Sequence, residues 1–125
     1  MPRITLTTNV KLNNQQKDAV TVGLQKVVDT IPHESGAFLM SDILDDWDLR
    51  FGDDWHQPCA AIEFIILDEV YDRISQKERE DVLYYATAVV SRVCGIPKDR
   101  IFAFYRNSPL WASGGVNIRT TFLKF

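Results

Sequence analysis

The residue best placed to do chemistry is the second one. Pro2 leads directly into Arg3-Ile4-Thr5-Leu6-Thr7-Thr8, a short alternation of apolar and polar residues that reads as a β-strand. Proline is small enough for methionine aminopeptidase to trim Met1, which would leave a free secondary amine at the head of that strand. An α-amino group ordinarily titrates at about 8, and burial in an apolar pocket disfavours its cation. The expected result is an uncharged base at neutral pH, suited to taking a proton from the carbon beside a carbonyl. The plainer reading is packaging, because proline lacks an N–H and suits the first position of a strand.

Other candidate groups are weaker. Six aspartates fall between Asp42 and Asp54, but Gly52 stands four residues after Asp48 and no glutamate follows at the spacing a calcium loop needs. That stretch reads as a solvated hairpin or short edge strands, with His56 at its surface and no metal. Cys59 and Cys94 have neither metal-ligand spacing nor a disulfide-rich context and read as reduced, buried small residues.

With 125 residues, the chain is expected to form one domain over 1–125. A formal charge of −3 gives no electrostatic case for nucleic acid. No apolar run reaches the about 18 residues of a membrane span, and the polar start does not resemble a signal peptide. The expectation is a cytoplasmic protein with no membrane partner and no cofactor.

The elements that must position Pro2 repeat. From Asn13 to Ile31, apolar residues at Val20, Leu24, Val27, Val28 and Ile31 form a helical stripe, with Asn13 and Gln16 as a capping box and Pro32 and Gly36 beyond. Shifted by 62 residues, the stripe recurs at Val82, Ala86, Val89, Val90 and Val93, capped by Ser75 and Glu78 and ended by Gly95 and Pro97. Strand candidates Arg3–Thr8 and Phe38–Leu44 flank the first helix; Ala60–Leu67 and Arg100–Arg106 flank the second. The chain therefore reads as β-α-β twice, an α/β (α+β) fold with a four-stranded sheet and two helices on one face, each strand pair parallel through a right-handed crossover.

Two helices cover one face of such a sheet. Yet Ile62, Phe64 and Ile66 alternate with Ala61, Ile65 and Leu67, and Ile101, Ala103 and Tyr105 with Phe102 and Phe104. Strands apolar on both sides belong to sheets covered on both sides. With no third helix expected, other copies of the chain are the economical cover.

Several stretches, in this order, carry a resemblance: "MP" running into a strand and "TNV", then "FGDDWHQPCAAIEFIIL", "GIPKDRIFAFY" and "GGVNIRTTF". Together they resemble the tautomerase superfamily, in the branch of macrophage migration inhibitory factor and D-dopachrome tautomerase. The resemblance spans nearly the whole chain. It implies a homotrimer whose sheets form a barrel ringed by helices, and an amino-terminal proline, here Pro2, acting as general acid/base on small α-keto acids such as phenylpyruvate or related aromatic substrates.

The chain also departs from that pattern. The family's substrate-facing lysine follows the first helix, where this chain has Pro32-His33-Glu34; His33 would offer a positive charge at lower pH, and Glu34 beside it opposes a carboxylate. The family's asparagine and tyrosine of the penultimate strand fall on Phe104 and Phe102. Leu67 stands where the family uses a backbone N–H to hold substrate. The family's CxxC stretch becomes Cys59-Ala60-Ala61-Ile62, which removes redox chemistry. The implied site is Pro2 as base with Leu67, Phe102, Phe104 and His33 around the substrate, more apolar than the family's. Two readings of another kind stand beside it. One is a non-enzymatic trimer that signals or binds through its surface, the other a ferredoxin-like module, which the two-faced strands and acidic charge disfavour.

Overall fold

The computed structural model describes residues 2–118, so Met1 and the end of the "GGVNIRTTF" stretch lie outside the described residues. Strand β1 (Arg3–Thr8) is followed by helix α1 (Asn14–Val28) and strand β2 (Met40–Leu44); β3 (Ala60–Ile65) is followed by helices α2 (Asp68–Arg73) and α3 (Gln76–Cys94) and by β4 (Ile101–Tyr105). A small hairpin of β5 (Ala112–Ser113) and β6 (Val116–Asn117) comes last. The four long strands form one sheet in the order β2-β1-β3-β4. β1 runs parallel to β2 and β3 parallel to β4, while β1 and β3 are antiparallel. The double β-α-β is thus present.

Both long helices form as their caps predict. The side chains of Asn13 and Ser75 each accept the backbone N–H three residues on, and Gln16 and Glu78 return the bond. α1 buries Val20, Leu24, Val27 and Val28; α3 buries Val82, Ala86, Val89 and Val90 in the matching places. Gly95, at φ 69°, closes α3 in the left-handed conformation that glycine adopts without penalty. The helices meet closely where α1 carries Gly23, since a Cβ there would lie 2.5 Å from Val89 Cγ1.

The expected two-helix count needs correction. β1 and β3 begin 57 residues apart although α1 and α3 begin 62 apart, and the five-residue surplus in the second half accommodates the short helix α2. Its Val70 is fully buried, and its Tyr71 ring meets Tyr105 edge-on at 5.1 Å. Tyr105 packs with the helix-facing side of the sheet, so α2 leaves the opposite face uncovered. Two strand boundaries also move inward by two residues each. The strand expected from Phe38 begins at Met40, after a single 3₁₀ turn at Gly36–Phe38. The strand expected to Leu67 ends at Ile65, because Leu67 turns the chain into α2.

One hydrophobic cluster, including Ile4, Leu6, Ile62, Phe64, Leu24 and Val90, runs beneath both halves. The far face is more mixed than the β3 and β4 patterns suggest. Phe102 and Phe104 stand 63% and 40% exposed there, next to Ala61 and Glu63. β1 contributes Arg3, Thr5 and Thr7, whose partners across the sheet are Ile65, Glu63 and Ala61. Charges on this face are paired, Arg3 with Asp42 and Arg106 with Glu63 at 3.5 Å. In the expected hairpin region only an isolated antiparallel bridge, Phe51 to Asp54, forms.

Candidate active site at the head of the first strand

Pro2 is buried, and its carbonyl oxygen accepts the Met40 N–H at 3.1 Å. Having no N–H of its own, proline loses nothing at this position. Because Arg3 faces Ile65 and Phe64 faces Tyr105, the proline end of the sheet is where β3 and β4 finish. There Ser108 donates its N–H to the Ile66 carbonyl at 2.9 Å, and Asp68 donates its own to the Ser108 carbonyl at 2.8 Å. Asn107 Oδ1 accepts the Ile66 N–H at 3.4 Å.

Leu67 lies at this same end. Its side chain is 1% exposed and belongs to the core, so what it can offer a ligand is its backbone. His33 lies on the loop between α1 and β2, exposed and with a left-handed backbone at φ 68°. Phe102 and Phe104 are not brought to Pro2 within one chain. Phe104 pairs with Glu63, which pairs with Thr5, three residues beyond Pro2. At 3.3 Å per residue and 4.8 Å per strand, that places Phe104 roughly 10 Å along the sheet and two strands across. Phe102 is two residues further still.

Sequence reading set Glu34 down as a neighbour that weakens His33. In the fold it is Glu34 that turns inward, half-buried, while His33 remains exposed. Burial is the main influence on the Glu34 carboxyl and pushes it above its ordinary value. No sequence pattern marks it, because the burial of an acid is set by the loop's path.

Three aspartates of the 42–54 stretch, Asp42, Asp45 and Asp48, have side-chain partners in the protein. Asp45 accepts the Leu12 N–H at 2.9 Å and meets Lys17 at 3.4 Å, and these hold its carboxyl below the usual range. Asp48 is likewise lowered by its hydrogen bond from Arg50 at 2.9 Å. Among the described residues no three metal-ligating side chains cluster. No helix of the described residues is long and apolar enough to cross a membrane. Cys59 and Cys94 are both free and buried. A concavity of about 750 Å³ lies between α1 and α3, lined by Val22, Gly23, Val27, Tyr85 and Val89 among others. None of its lining residues belongs to β1 or to the loop that carries Glu34.

No protein-family model matches the chain, and no curated protein sequence matches it. Solved structures do. Leishmania major MIF2 aligns over 94% of this chain and 97% of its own, with a TM-score of 0.79 at 19% identity. The macrophage migration inhibitory factor of Toxoplasma gondii aligns over 92% of this chain and 98% of its own, with a TM-score of 0.78 at 22% identity. Pt0534, in a structure of the form inactivated by 2-oxo-3-pentynoate, aligns over 95% of this chain and 98% of its own, with a TM-score of 0.76 at 13% identity. Alignment over nearly the full length of both partners shows that this chain has the fold of macrophage migration inhibitory factor.

Proposed function

We propose that the chain is a keto–enol tautomerase of the macrophage migration inhibitory factor type, with Pro2 as its general acid/base once Met1 is removed. The observation that carries the reading is a buried proline at position 2, heading an inner strand of this fold. In the reaction the proline nitrogen takes the proton from the carbon beside a substrate carbonyl, the electron pair moves onto the oxygen, and that oxygen gains a proton to give the enol. The reverse sequence returns the ketone. Burial of Pro2 disfavours the ammonium form of the amine.

The substrate class is a small carbonyl compound of the phenylpyruvate or dopachrome kind, met by the backbone at Leu67 and by His33 on the loop. A homotrimer supports this reading because it would cover the exposed Phe102 and Phe104 face and let another copy bring those rings to Pro2. The fold partner Pt0534 was inactivated by 2-oxo-3-pentynoate, itself a 2-keto acid, which supports a carbonyl ligand. No cofactor enters the scheme, and the cytoplasm is its proposed setting.

A test is direct. The intact mass reports whether Met1 is gone, and enol–keto conversion of phenylpyruvate and of dopachrome methyl ester is then followed with the protein and with Pro2→Ala. Activity that Pro2→Ala retains overturns the reading. The surface-binding alternative, a trimer that acts on a partner protein, is favoured by one observation, the unusual exposure of Phe102 at 63%. It takes the lead if the purified trimer turns over neither substrate.

A further inference from the structure

The two long helices leave a groove on their outer side. Gln16, in the first turn of α1, donates its side-chain N–H to the Val93 carbonyl at 3.3 Å, and Gly23 meets Val89. The helices therefore run antiparallel, which sets Lys26 level with Tyr85 and Asp18 level with Arg92. Between these two levels the groove is apolar. Gly23 and Val89 form its floor, half-exposed Val22 and Tyr85 its walls, and its volume is about 750 Å³. Small-molecule sites commonly hold about 300–1,000 Å³. From Tyr85 to Arg92 the strip advances seven residues along α3, about 10 Å at 1.5 Å per residue, which suits a chain better than a compact ring.

The charges along it are unequal. Lys26 and Arg92 both line the groove, and among the described residues neither forms an ion pair. Asp18 shares the Arg92 level and balances that end. Lys26 has no such balance. The acids one turn away on each helix are already engaged, Asp29 by the Gly36 N–H at 2.7 Å and Asp81 by Lys77 at 2.7 Å. An uncompensated cation thus stands at the head of an apolar strip.

We propose that this groove binds a medium-chain fatty acid, with the carboxylate at Lys26 and the alkyl chain laid over Gly23 and Val89. The inference does not depend on the catalytic reading, because the groove lies on the helices and Pro2 on the sheet. Each part of such an acid meets the surface that suits it. Its methylenes leave water on the apolar strip, and its carboxylate pairs with the free ammonium. A neutral or cationic chain of the same length forgoes that pair. Association of copies leaves the groove open, since Phe102 and Phe104 stand on the opposite face of the sheet.

Decanoate is titrated calorimetrically into the wild-type protein, below its micelle concentration, alongside hexanoate and decylamine. Decanoate should bind at least about tenfold more tightly than either. Lys26→Gln should weaken decanoate about fivefold, the scale of an exposed ion pair, and Lys26→Glu, which also repels it, by more than about tenfold. Val22→Glu puts an acid into the wall and should abolish binding while leaving the light-scattering mass unchanged. Arg92→Gln and Pro2→Ala should each keep the affinity within about twofold, which separates this groove from the Pro2 pocket. Carbon-labelled wild type gives a readout that needs no variant, because the Val22 and Val89 methyls should shift as decanoate is added. Wild-type protein that binds no decanoate, or binds it without moving those methyls, overturns the proposal. So does an affinity that Lys26→Glu leaves within about twofold, a preference for decylamine, or binding lost in Pro2→Ala. A changed mass in Val22→Glu would assign the groove to a neighbouring copy and overturn it too.

Discussion

The Pro2 carbonyl and the Met40 N–H form the bond that holds the head of β1 against the edge strand β2, at 3.1 Å. The bond uses the carbonyl of Pro2 and not its nitrogen. Pro2→Ala should therefore keep the sheet pairing and cost below about 1 kcal/mol of stability, through added freedom of the unfolded chain. Its effect on catalysis should be far larger, a drop of about 100-fold or more in kcat for enol–keto conversion, the scale of a lost general acid/base. Circular dichroism and light scattering of the variant should match wild type. Unfolding of the variant, with loss of activity only in proportion, would assign Pro2 a structural role instead.

Gly36 connects packing to the site. A Cβ at Gly36 would strike the backbone oxygen of Gln25, which cannot rotate away as a side chain can. Gly36→Ala should cost about 3 kcal/mol, the upper end for overpacking. Gly95→Ala, with open space around it but a φ of 69°, should cost only about 1–2 kcal/mol. Urea unfolding of the two variants checks the order. Because the Gly36 change must displace the loop that leads to Met40, whose N–H holds the Pro2 carbonyl, it should also lower enol–keto activity, whereas Gly95→Ala should not.

The thiols should be quiet. Burial pushes the Cys94 thiol up to about 11 from the usual cysteine value of 9.0. At pH 8 roughly one part in a thousand would be thiolate, the reactive form. Cys59 is 2% exposed, and its Sγ lies 3.5 Å from the Leu49 carbonyl. An aromatic disulfide reagent should modify neither within an hour at pH 8 without denaturant, and rapid labelling would contradict the packing. The same shift has a consequence for stability. The native state holds the Cys94 proton more tightly than the unfolded chain, so this contribution is intact below pH 9 and is lost as pH rises from 9 towards 11.

Local rules made the long helices legible: stripe and cap coincide at Asn13 and Gln16 and again at Ser75 and Glu78, and each signal lies within four residues of its partner. The short helix α2 escaped because six residues, Asp68 to Arg73, complete less than two turns and show no stripe. Strand phase identified Ile101, Ala103 and Tyr105 as opposite to Phe102 and Phe104. It could not say which end of β4 lies near Pro2, which follows from the antiparallel β1–β3 pairing between distant segments. The same limit hid the half-burial of Glu34, which depends on how the loop after α1 folds back on that helix.

The last prediction joins the uncovered face to the site. Phe102 and Phe104 present apolar rings to solvent, with Phe51 packed against Phe102 at 5.1 Å and Arg100 above Phe51 at 5.0 Å. Leaving a Phe exposed rather than covered forfeits about 1.5–3 kcal/mol, so one ring per subunit, repeated around a ring of copies, is a substantial drive to associate. Light scattering of the wild-type protein should give close to three times 14.3 kDa. Phe102→Asp places a charge on that face and should shift the mass towards the monomer. Within one chain these rings lie too far along the sheet to touch a ligand at Pro2, so they can shape the pocket only from a neighbouring copy. The dissociated Phe102→Asp protein should consequently lose enol–keto activity while its Pro2 amine still reacts with phenyl isothiocyanate. A monomeric variant with full activity would show that the site is complete in one chain. A wild-type protein that stays monomeric at high concentration would remove the partner's rings from the pocket altogether.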